Sequence, residues 1–131
     1  MEIISGKEHI EKGSKFLSFI TNVNDLVEFQ KFLAMIKLEH TDATHHCYAY
    51  RIVEPQLNLF GDKVIHEKYS NDGECSGSGK ALLNILKDNG LENFALIVVR
   101  YFGGVLLGAE NVPKHFSISG KMAVEKYIGN G

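Results

Sequence analysis

The stretch FALIVVR, Phe94–Arg100, constrains this chain most: six consecutive apolar side chains lead into one arginine. Successive side chains of a strand point to opposite faces, so an uninterrupted apolar run needs cover on both faces or a place at the centre of a sheet. The run is far too short to cross a membrane as a helix. A chain of 131 residues can bury roughly two-thirds of its unfolded surface, enough for one core without metals or disulfides. One domain spanning residues 1–131 is therefore expected.

The partners of that strand are legible from their periodicity. KFLSFIT (Lys15–Thr21) reads as a strand, and Glu2–Ile10 can pair with it across Glu11–Ser14, where Gly13 supplies turn freedom. From Asn24 the period changes: Leu26, Phe29, Leu33 and Ile36 line one helical face, with Asn24 and Asp25 as caps and Glu28 at capping-box spacing. That helix should end near His40. CYAYRIV (Cys47–Val53) alternates as a strand ended by Pro55, with Lys63–Tyr69 as its hairpin partner. A second helix is predicted from about Ser76 to Asn89-Gly90, with Leu82, Ile85 and Leu86 inward. A last helix spans Asn111–Ile128, with Pro113 in its first turn and Gly120 marking a close approach. This order predicts a two-layer α+β domain, a mixed sheet with helices on one face.

SNDGECSGSGK (Ser70–Lys80) has the look of a phosphate loop but fails its requirements. Five residues separate Gly73 from Gly79 where the Walker motif needs four, Ala81 follows Lys80 where Ser or Thr must hold magnesium, and the approach is polar. What remains is a helix start whose N–H groups, from Ser76 to Lys80, can either attract an anion or be capped locally. His40, His45, His46 and Cys47 cluster in sequence, yet alternation along a strand prevents their convergence on one metal; no metal ligand set is expected. Cys75 at a helix start is the one thiol whose pKa such a position can lower, but no partner base is evident. Asp72 and Glu74 suit either acid–base work or turn formation. In RYFGG, Arg100 and the aromatics can hold phosphate or a base; the alternative is a locally paired arginine, aromatics completing the core, and a turn at Gly103-Gly104. The net charge of −2 argues against general polyanion binding. The N-terminal stretch MEIISGKEHIEKGSKF lacks a signal-peptide core, which predicts a cytoplasmic protein, and no cofactor is expected.

KGSKF (Lys12–Phe16), DATHHCYAYRI (Asp42–Ile52), NDGECSGSG (Asn71–Gly79) and VVRYFGGVLLG (Val98–Gly108) occur in the order and approximate spacing of the IMPACT/YigZ family. The resemblance covers about Lys12–Tyr127. It implies the fold of the second domain of a small-subunit ribosomal protein (ribosomal protein S-five) and of elongation factor G domain IV. Asn71 and Cys75 stand where bacterial members usually carry Asp and Pro, whereas Lys114 and His115 match the Lys-His of the eukaryotic pattern. The chain thus resembles the bare shared domain of eukaryotic IMPACT proteins, without their RWD domain.

The resemblance implies a non-enzymatic translation regulator that binds the ribosome-associated activator of the general-control eIF-two-alpha kinase and damps the amino-acid starvation response. His45, Asp72, Glu74, Ser76, Lys80, Arg100 and Lys114 are the residues expected on its contact surface. The alternative is a nucleic-acid or phosphate-binding module of the YigZ type, built on the glycine loop, Lys80 and Arg100. A hydrolase using Asp72, Glu74 or Cys75 is a third class.

Overall fold

The computed structural model describes residues 1–54 and 61–130. Its elements are β1 (Ile4–Ser5), β2 (His9–Glu11), β3 (Ser14–Asn22), α1 (Leu26–Glu39), β4 (His45–Val53), β5 (Ile65–Ser70), α2 (Ser78–Asp88), β6 (Phe94–Tyr101) and α3 (Val112–Asn130). The strands form one sheet in the order β1-β3-β6-β4-β5, with β2 also paired to β3. The α+β class holds. Pro55, expected to end β4, lies outside the described residues.

Two details of the expected layering are corrected. Every described strand pairing is antiparallel, so the sheet is not mixed. The helices also cover both faces, not one. Phe29, Phe32 and Ile36 of α1 pack with Phe19, Tyr50, Ile52, Ala95, Ile97 and Val99. Leu82, Ile85 and Leu86 of α2 and Phe116, Ala123 and Val124 of α3 pack with Phe16, Ile20, Ala49, Leu96 and Val98 on the opposite face. The reason lies in β6 itself. From Phe94 to Val99 its odd and even residues are equally apolar, and seven of its eight residues, Phe94–Arg100, are buried, so neither face can be left to water.

Local chemistry sets the element ends. Glu11 pairs with Ser14 across Lys12-Gly13, both at positive φ, which makes a tight two-residue hairpin turn. Asp25 caps α1 by accepting from the Glu28 N–H at 2.8 Å, and Glu28 reaches back to accept from the N–H of Asn24, the residue before the cap, a variant of the capping box. Within α1 the buried face is Phe29, Phe32 and Ile36, while Leu26 is 48% exposed. Gly120 does sit at a close approach: a Cβ there would lie 3.0 Å from side-chain carbons of both Leu82 and Ile85. Among the described residues, no helix is long and apolar enough to cross a membrane.

Candidate functional site

Strand register brings together residues that are far apart in sequence. His45 on β4 is the cross-strand partner of Arg100 on β6, which is the partner of Phe16 on β3, which faces His9 on β2. Directly opposed residues share a face, so these four form one row on the side of α2 and α3. The row lies at the end of the sheet where β6 gives way to the glycine-rich turn.

Arg100 is its centre, 5% exposed. One Nη donates to Glu74 Oε2 at 2.8 Å, and the other donates to Ser14 Oγ at 3.3 Å. Its guanidinium also lies over the rings of Phe16 and Phe102. Among the described residues Nε has no hydrogen-bond partner. Burial by itself would raise the Glu74 carboxyl; the Arg100 bond, the Cys75 N–H and the His45 ring outweigh it and hold that carboxyl below its usual range. Glu74 is thus a buried carboxylate, with His45 Nε2 3.5 Å from it.

The loop that carries Glu74 is built for this delivery. Asn71–Glu74 is a turn closed by the Glu74 N–H donating to the Asn71 carbonyl, with Asp72 and Gly73 both at positive φ. Asp72 then orients two histidines. Its carbonyl accepts from His45 Nδ1, fixing the opposite ring nitrogen toward Glu74, and its carboxylate accepts from the His46 backbone N–H at 2.7 Å. The Asn71 side chain accepts from the Gly79 N–H at 2.7 Å, at the start of α2. A Cβ on Gly79 would lie 2.6 Å from the Ser70 carbonyl oxygen, so only glycine lets the helix start this close to β5.

These contacts decide several open readings of the glycine loop. The helix starts at Ser78 rather than Ser76, and two of its free N–H groups are taken by the chain: Gly79 by Asn71 and Ser78 by the Cys75 carbonyl. The Cys75 thiol is pushed up, first by burial and then by Glu74, the reverse of what its position before a helix suggested. Arg100 is locally paired, as the simpler reading had it. Phe102, expected to complete the core, is instead 48% exposed.

A cleft of about 410 Å³ opens beside the row, with Arg100, Glu74 and His45 among its polar lining and Leu107 and Val112 among its apolar lining. Phe102, Val105 and Leu106 project along the adjoining turn, and Leu106 is 81% exposed. Gly103 permits this turn because it touches the first hairpin: a Cβ there would lie 2.0 Å from the carbonyl carbon of Gly13. Of the seven residues expected on a shared surface, the structure brings His45, Asp72, Glu74 and Arg100 into one bonded cluster. Ser76 is exposed in the loop before α2, Lys80 on its first turn and Lys114 on the first turn of α3; among the described residues none of the three lines the cleft. Ser14, Asn71 and the turn residues Val105–Leu107 were missed as site residues, whereas Phe102, as a site residue, was weighed only as a contact for phosphate or a base. Their only signal was membership in the four sequence motifs, all of which meet here: Gly13 and Ser14, His45, Glu74, Arg100 and Gly103.

Fold and site together define a class: a small α+β domain carrying a polar, apolar-rimmed cleft at one end of an antiparallel sheet. The chain belongs to the IMPACT family, since the Impact N-terminal domain profile matches residues 12–124. It is 41% identical over 101 residues to the IMPACT family member YvyE of Bacillus subtilis, covering 76% of this chain and 42% of the relative. Against the Protein IMPACT homolog of Dictyostelium discoideum it is 36% identical over 110 residues, covering 81% of this chain and 29% of that one. The chain spans under half the length of the bacterial relatives it matches. Among solved structures, a hypothetical protein superposes with a TM-score of 0.79 at 26% identity, covering 96% of this chain and 62% of the other. The two-domain translational regulator Yih1 shares the fold, with a TM-score of 0.54 at 24% identity over 95% of this chain and 46% of Yih1.

Proposed function

We propose that this domain is a non-enzymatic translation regulator that acts by protein–protein contact through the cleft and the exposed turn beside it. Its partner on this reading is the ribosome-associated activator of the general-control kinase, and its effect is to damp the starvation response in the cytoplasm. Family membership supports the regulatory class. The observation that carries the mode of action is the pairing of a neutralised polar floor with an apolar rim. Arg100 is engaged by Glu74, so it offers a phosphate little net charge, while Phe102, Val105 and Leu106 present apolar surface suited to a protein. The same pairing, with the Gly79 and Ser78 N–H groups already bonded, disfavours the nucleic-acid or phosphate-binding alternative.

The test is direct binding of the purified chain to the purified activator. Micromolar or tighter association is expected, weakened at least tenfold by Leu106→Asp and nearly unaffected by Lys80→Ala. No association at tens of micromolar with a folded chain would overturn the reading. Binding to single-stranded RNA that falls steeply with salt and is lost in Lys80→Ala would favour the alternative.

A further inference from the structure

A second polar cluster lies where the N-terminal hairpin meets α3. His9 and Glu11 are two residues apart on β2 and therefore share a face, the one turned toward the first turns of α3. There His115 meets them. Its Nδ1 is 3.0 Å from His9 Nε2, with the two rings stacked and their centroids 5.2 Å apart. One donor atom from each of His9, Glu11 and His115 lies within 4.8 Å of the other two, and all three residues are half-buried. His9 and His115 are 106 positions apart, so no local motif announces the arrangement.

We propose that His9, Glu11 and His115 form a binding site for a first-row transition-metal ion, with Zn²⁺ the best match, that ties the hairpin to α3. Two imidazoles and one carboxylate are a donor set that zinc takes with a fourth position left for water, whereas calcium and magnesium prefer all-oxygen sets. Zinc–nitrogen bonds of about 2.0–2.1 Å put two tetrahedral ligands roughly 3.3 Å apart, a few tenths of an ångström beyond the present separation. Small ring rotations supply that change. Without metal one ring donates its N–H to the facing nitrogen of the other; to bind metal the donor ring moves that proton to its outer nitrogen, which leaves both facing nitrogens free to ligate.

The electrostatic setting is compatible. The neutral ring is the ligating form. Glu11 brings the anionic charge, and the Arg100 charge is answered by Glu74.

The experiment uses the full chain, stripped with EDTA, and titrates it with ZnCl₂ and separately with CoCl₂. Zinc should bind at one ion per chain and raise Tm by roughly 5–10 °C at a concentration about a hundred times Kd. The Co²⁺ adduct should show the visible bands of a nitrogen–oxygen site without near-ultraviolet thiolate charge transfer. His9→Gln, Glu11→Gln and His115→Gln should each weaken zinc at least tenfold, and affinity should fall as pH drops through the histidine range. Absence of saturable binding, affinity within twofold of the parent in folded His9→Gln or His115→Gln, or a thiolate–cobalt band placing the ion on Cys47 or Cys75 would each overturn the proposal. Should one variant fail to fold, the parent chain's cobalt spectrum and the remaining variants decide it.

Discussion

Glu74 governs the charge balance of the cleft. Its substitution by Gln leaves Arg100 buried without a counter-charge, which should lower unfolding free energy by about 3–5 kcal/mol, read from urea denaturation at pH 7. The pH dependence follows from the same pair. The folded carboxyl titrates below its ordinary value near 4.5, so the unfolded chain binds the proton more readily. The stabilisation is complete above that ordinary value and is lost as pH falls through the lower folded value. Denaturation profiles taken from about pH 5 to pH 3 should therefore slope less for Glu74→Gln than for the parent. Gly103→Ala tests geometry instead of charge. The added methyl meets Gly13 and Ser14 backbone at 2.0–2.4 Å, so the two turns must separate, with a loss of at least about 2 kcal/mol in the same assay.

At the scale of elements, α1 shows what periodicity can and cannot decide. Its limits were readable because Asp25 and Glu28 carry the capping chemistry in their side chains. Asp25→Ala should cost about 1 kcal/mol, measured by thermal or urea unfolding. Its buried face was only partly readable. Leu26, expected inward, faces out, and Phe32, fully buried, takes the central place. A helix with apolar residues at 26, 29, 32, 33 and 36 offers overlapping stripes. The choice between them is made by the sheet, where Phe29 meets Tyr48 and Tyr50 at ring separations of 4.9 and 4.6 Å. Phe32→Ala should accordingly cost about 3–5 kcal/mol, far more than Leu26→Ala, in parallel urea titrations. In α3, Gly120 was recognised from sequence as a contact point, but its partners on α2 were not.

For the whole molecule, β6 is the structural axis: it pairs on both edges and is buried on both faces. Its amide protons should exchange most slowly, near the rate set by global unfolding, while those of β1 and β5 at the sheet edges exchange through local opening; native-state hydrogen exchange checks the order. The sequence alone determined most elements, the central place of FALIVV, the caps of α1 and the four motifs, because each is encoded by residues within a few positions of one another. It also held the reason for cover on both faces of the sheet, in the equal apolarity of alternate residues of β6, although the layering inferred from it was wrong. Only the tertiary structure decided which residues meet. Register across β2, β3, β6 and β4 aligns His9, Phe16, Arg100 and His45, and a tight turn returns Glu74 onto that row. Such meetings depend on long-range pairing, which no local pattern specifies. The glycine loop that resembled a phosphate cradle therefore serves, in the folded chain, to place a carboxylate against a buried arginine.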